Sequence, residues 1–162
     1  MKKSFSARNA LLVGGCLMAL SGLSLADSDW LKGTVDEKLA KLADIQPGLG
    51  TVMMEYSARF TNAYYAAHGG NWGLADYMIK EMPEIQEVGE NTRPKRAEAL
   101  KEFESKHLSE LQKAVSAQDI KAFDTAFQDA TKACNECHHK AHFNFINYQL
   151  PASAPTPLKL TK

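Results

Sequence analysis

Cysteine is scarce in this chain: Cys16, Cys134 and Cys137 are all it has. Cys16 falls in an N-terminal stretch that reads as an export signal, so the remainder keeps two. An exported chain meets an oxidising compartment, where two thiols need a partner or a purpose. Strand-like alternation persists nowhere, which argues against a sheet protein, and no internal repeat is present. Past residue 26 no apolar run is long enough to form a transmembrane helix. There is no basic cluster and no stacking motif, so nucleic acid is not an expected partner. No nucleophile–base pair or carboxylate dyad stands out, and the chain does not read as an enzyme.

The N-terminus has the layout of a secretory signal. Met1, Lys2, Lys3 and Arg8 make a positive start, Ala10 to Leu20 is apolar, and Ser24-Leu25-Ala26 offers small residues at the cleavage positions. The expected signal is 1–26, with cleavage after Ala26 and a periplasmic product. A lipoprotein reading with Cys16 as acceptor fits less well, because the apolar run continues past Cys16 to Leu20. Removing 1–26 takes away Lys2, Lys3 and Arg8 and no acidic residue. A chain with 19 basic and 19 acidic side chains then becomes mildly acidic. What is left is one domain, long enough to bury a core.

The body reads as all-α. A lead-in, 27–48, carries a short amphipathic stretch from Val35 to Ile45, broken at Pro47-Gly48. Four helices follow over 49–148. The first runs from Leu49 to Ala67, where Leu49, Met53, Tyr56, Phe60, Ala63 and Ala67 step by four and three; His68-Gly69-Gly70-Asn71 ends it. The second runs from Trp72 to Val88 on a stripe of Leu74, Met78, Met82, Ile85 and Val88, with Pro83 predicting a kink or break. A turn at Gly89 to Arg93 leads to the third, which buries Ala97, Leu100, Leu108, Leu111 and Val115. The fourth starts at Ile120, carries Phe123, Phe127, Ala130, Cys134 and Cys137 on one stripe, and continues toward Tyr148. Short connections predict an antiparallel up-down-up-down four-helix bundle. Residues 149–162, with three prolines, predict an extended tail.

Cys134-Asn135-Glu136-Cys137-His138 is the pattern C-x-x-C-H, which reads as attachment of one covalent haem c. On a helix, residues three and four apart share a face. Cys134 and Cys137 are therefore placed to add to the two vinyl groups on one porphyrin edge, and His138 to reach iron from the same side. Three rivals exist. Zinc could take both cysteines and two of His138, His139 and His142, but those histidines converge poorly from one helix. A redox dithiol needs a βαβ context that is absent. A disulfide between cysteines three apart on a helix is badly placed.

A bundle of four helices with C-x-x-C-H late on the fourth resembles cytochrome c′ and the related low-spin cytochromes c-556, over Leu49 to about Phe143. The resemblance implies a periplasmic monohaem bundle serving either one-electron transfer or small-gas (nitric oxide, carbon monoxide) binding and sensing. Its partners would be redox proteins or a gas, and a homodimer is compatible with it. The family usually has an aromatic and then a basic residue three and four after the ligand His; here Ala141 and His142 stand there. A structural zinc or interaction bundle is the remaining reading.

For the other axial position of iron the sequence offers Met53, Met54, His107 or nothing. Met53 and Met54 lie roughly 8 Å into the first helix, and His107 about 20 Å into the third, at 1.5 Å per residue. Met53 is on the core seam and Met54 one step off it, so Met53 is the better-aimed thioether. Tyr56 and Phe60 are expected to line that side, and Arg59 to pair with a haem propionate. His139 and His142 read as surface or propionate-contacting residues.

Overall fold

The computed structural model describes residues 32–162, so the expected signal at 1–26, with Cys16, lies outside the described residues. The chain is all-helical among those residues; its one β-type pairing is an isolated bridge between Gly70 and Thr161. No helix there is long and apolar enough to cross a membrane. Contacts divide the chain into a unit ending at Ile45 and a larger one beginning at Gln46.

In the first unit the amphipathic stretch forms α1 (Val35–Asp44). Its start is a capping box: the Thr34 hydroxyl accepts from the Glu37 amide, and the Glu37 carboxylate accepts from the Thr34 amide at 2.7 Å. None of its residues is buried.

In the second unit, α2 (Leu49–His68) packs along α3 (Trp72–Thr92). A tight turn at Pro94–Arg96 then leads into α4 (Ala97–Phe103), a π-helical turn (Glu104–Leu108) and α5 (Ser109–Ala117), which together stand where one third helix was expected. Finally α6 (Ile120–Lys140) packs against α2, α4 and α5. The seams expected from periodicity supply most of the core: Tyr56, Phe60, Ala63 and Ala67, then Met78 and Met82, then Leu108, Leu111 and Val115, then Phe123, Phe127 and Ala130 are buried. Phe60 and Phe127 stack at 4.1 Å, joining α2 to α6.

Of the kink or break expected at Pro83, the break does not occur: α3 runs on through it. It also continues past Gly89, where a turn was expected. Gly89 is buried, and a Cβ there would come within 3.0 Å of Leu49 and 3.2 Å of Val52. The glycine lets α2 and α3 approach; it does not stop the helix. At the far end, α6 does not reach Tyr148. His142 adopts φ 65, the Phe143 amide bonds back to the His138 carbonyl, and the His142 amide to that of His139. That is a Schellman stop with a non-glycine residue at the left-handed position.

The segment after α6 carries no regular structure, and it packs back on the helices. Tyr148 sets its ring against Phe60 at 5.2 Å, and its hydroxyl pairs with that of Thr61 at 2.9 Å. The Tyr65 hydroxyl donates to the Pro151 carbonyl, and the Lys162 amide to the Gly69 carbonyl.

Candidate functional site

The C-x-x-C-H motif lies in the last turns of α6, ahead of the Schellman stop. The helix is started by Asp119, whose carboxylate accepts from the Lys121 and Ala122 amides, and it is held by Phe123, Phe127 and Ala130 in the core. Continuing that stripe brings Cys134 and Cys137 to one wall of a cleft, and His138 lines it as well. The opposing walls come from α2 (Met53, Tyr56, Ser57, Phe60), α3 (Gln86) and α4 (Ala99, Leu100, Phe103), with Tyr148 closing one side. The cleft is an open one: the space between its walls, counted out into solvent at its mouth, is about 590 Å³. Its lining is almost wholly apolar.

The His138 ring is held from outside the cleft. Its Nδ1 lies 3.0 Å from the Ile146 carbonyl oxygen. A carbonyl only accepts, so Nδ1 donates this bond; in the neutral ring that leaves the lone pair on Nε2, the form in which imidazole ligates a metal. Burial, and then the neighbouring Cys137, push the Cys134 thiol up to about 12. At neutral pH, with no metal on it, Cys134 is a thiol, a poor nucleophile for dithiol exchange. Both cysteines are free. Among the described residues no group of three or more His, Cys, Asp or Glu side chains is arranged to hold a metal ion. Two thiols and one imidazole thus share one wall of an apolar slot, a donor set that could hold a cofactor by covalent attachment and one metal bond.

Of the residues expected around that group, Tyr56 and Met53 line the cleft; Tyr56 is buried and Met53 half-buried. Met54 is 73 % exposed and faces away. His107 lines a different, polar hollow between the π-turn and α6, with Lys106, Glu110, Asp129, Lys132 and Glu136. Arg59 is not among the lining residues. Its guanidinium pairs with Glu55 at 2.7 Å and with Glu81 at 3.7 Å, joining α2 to α3. His139 and His142 are exposed.

Four lining residues, Ser57, Gln86, Ala99 and Phe103, escaped the sequence reading, and Gln86 matters most. Gln86 is fully buried. Its carbonyl oxygen accepts from the Tyr56 hydroxyl at 3.2 Å, and its amide nitrogen donates to Glu90 at 2.8 Å and to Glu104 at 2.9 Å. This network fixes Tyr56 against the cleft, and desolvation holds the Tyr56 phenol well above its ordinary range. Its only sequence signal was a polar residue one step past Ile85, inside an apolar stripe. Comparison with protein-family models, curated proteins and solved structures finds no match to this chain.

Proposed function

We propose that this chain is an exported monohaem c-type cytochrome that carries single electrons between redox proteins. Cys134 and Cys137 would hold the haem, and His138 would ligate its iron. The observation that carries the reading is the coincidence, on one wall of an apolar cleft, of both thiols and an imidazole whose Nδ1 is held 3.0 Å from the Ile146 carbonyl oxygen. On this reading α2, α3, α4 with α5, and α6 are the successive members of an antiparallel up-down-up-down bundle, and the likeness to cytochromes c′ and c-556 rests on that order and on the motif. The bound group supplies a reversible one-electron couple at iron.

The chain's own residues would do the rest. Cys134 and Cys137 would hold the group through two thioether bonds, one to each thiol. Phe60, Leu100 and Phe103 exclude water, which raises the influence of every nearby dipole. Tyr56, fixed by Gln86, holds its wall rigid. Met53 would be the protein's second donor to the iron, because it lines the cleft while Met54 faces solvent and His107 belongs to another hollow. A saturated iron suits a carrier, since the site does not rearrange as its charge changes. Without that ligand the same apolar lining would admit a small gas.

The test is expression with an export signal and the c-type maturation machinery. The mature protein should gain the mass of one whole haem, resistant to acid–acetone extraction. Cys134→Ala with Cys137→Ala should lose it. Purified wild-type protein without haem would refute the reading. A low-spin spectrum with a weak far-red band, abolished in Met53→Ala, supports the carrier. A high-spin spectrum indifferent to that substitution, with rapid carbon monoxide binding, supports the gas binder.

A further inference from the structure

The haem motif has a residue of its own that reaches out of the helix. Asn135, between the two cysteines, makes a paired contact with the backbone of Tyr148. Its amide nitrogen donates to the Tyr148 carbonyl at 3.1 Å, and its oxygen accepts from the Tyr148 amide at 2.7 Å. One side chain thus pairs with both backbone groups of a residue thirteen positions on, as a neighbouring strand would. Two residues before Tyr148 stands Ile146, whose carbonyl takes the hydrogen of His138 Nδ1. The intervening chain is fixed at its other end by the Schellman stop, and the Ile146 amide bonds to the Phe143 carbonyl at 2.8 Å.

From this geometry we propose that Asn135 is a positioning residue for the axial histidine: by gripping Tyr148 it holds the Ile146 carbonyl against His138 Nδ1. The inference rests on the haem reading above and concerns what surrounds the ligand. On that side of Ile146 the Asn147 side-chain amide also donates to the Asn144 carbonyl at 3.0 Å, but that bond stays within the segment, whereas Asn135 ties it to α6. The Tyr148 ring contacts and the Thr61 pair locate that side chain, but only Asn135 holds its backbone groups. A hydrogen bond from Nδ1 to an acceptor makes imidazole a stronger donor and fixes its ring plane. A firmly held Ile146 carbonyl therefore favours ferric iron and lowers the potential, and a loosened one does the reverse.

The experiment uses holoprotein carrying Asn135→Leu, which keeps the bulk and loses both hydrogen bonds. The midpoint potential should rise, the iron–histidine stretch of the ferrous form, read in a Met53→Ala background that leaves the second position open, should fall in frequency, and excess imidazole should displace His138 roughly 10–100-fold more readily. Asn135→Asp keeps the acceptor for the Tyr148 amide and loses the donor; it should give intermediate shifts, and it decides the question should the leucine variant fail to fold. Tyr65→Phe loosens the same segment at Pro151, away from the cleft, and serves as the control. It should raise protease sensitivity of the C-terminal segment without moving the potential or the stretch. Asn135 variants that behave like Tyr65→Phe would overturn the proposal and leave Asn135 a purely structural tie. Absence of covalent haem in the wild type would instead strike the reading beneath it, so the two failures are distinct.

Discussion

Replacing Gln86 by leucine tests whether the wall of the cleft is built on a hydrogen-bonded amide. The side chain is fully buried and makes three hydrogen bonds. Leucine is similar in size, so little cavity forms. The Tyr56 hydroxyl is left buried without its acceptor, at a cost of about 1–3 kcal/mol. The bonds to Glu90 and Glu104 involve carboxylates and are each worth about 1.5–3 kcal/mol. Both residues are only part-buried, so water recovers most of that loss. Leucine's own burial offsets about 1 kcal/mol. The balance is a loss of about 2–3 kcal/mol, read in urea unfolding of holoprotein as a lower midpoint with an unchanged slope. A cycle with Tyr56→Phe isolates the shared bond, and the coupling should be about 1 kcal/mol. A loss under about 0.5 kcal/mol, or strict additivity of the two changes, would show that the amide is idle.

Gly69→Ala would place a Cβ 2.5 Å from the Leu160 carbonyl oxygen, so the C-terminal segment must move; limited proteolysis should cut after α6 sooner while helical dichroism stays constant. At His142, held at φ 65, valine should cost about 1–3 kcal/mol and glycine less than about 0.5; equal effects in urea unfolding would contradict the Schellman stop. In apoprotein Cys134 keeps its proton more tightly folded than unfolded. Stability is then full below the ordinary thiol value of 9.0 and declines as pH rises from there toward about 12. Midpoints at about pH 8 and about pH 10.5 should show this, and Cys134→Ala should flatten it; an unchanged midpoint in the wild-type apoprotein would contradict it.

Helix content and the core faces were legible because apolar residues recur at helical spacing, and C-x-x-C-H marks its own place. The stop at Gly70 was legible too, since glycine sits at φ 73 and the Asn71 amide bonds back to Ala66. The same device recurs at Gln118 (φ 52) and His142. Neither residue advertises a left-handed cap, so α6 was carried too far. Gly89 misled in the opposite direction: a close approach between helices and a turn use the same residue. Arg59 shows a third limit. Periodicity set it on the right helix, but which carboxylates it meets depends on the facing surface of α3. Gln86 was invisible because a buried amide is justified only by partners on two other elements.

The π-turn at Glu104–Leu108 has a consequence for how the third helix tolerates insertion and deletion. Such a turn amounts to one residue more than regular α-helix would use. Ahead of it, Leu100 and Phe103 face the cleft; behind it, Leu111, Ala114 and Val115 face the core. The extra residue sets the phase between those two surfaces. Deleting Ser105, which is exposed, would allow an unbroken α-helix while turning one half against the other by about 100°. The core half, with more buried side chains, would keep its seat. The half bearing Leu100 and Phe103 would rotate away, and a shortened chain of ordinary helicity would have lost one wall of its cleft.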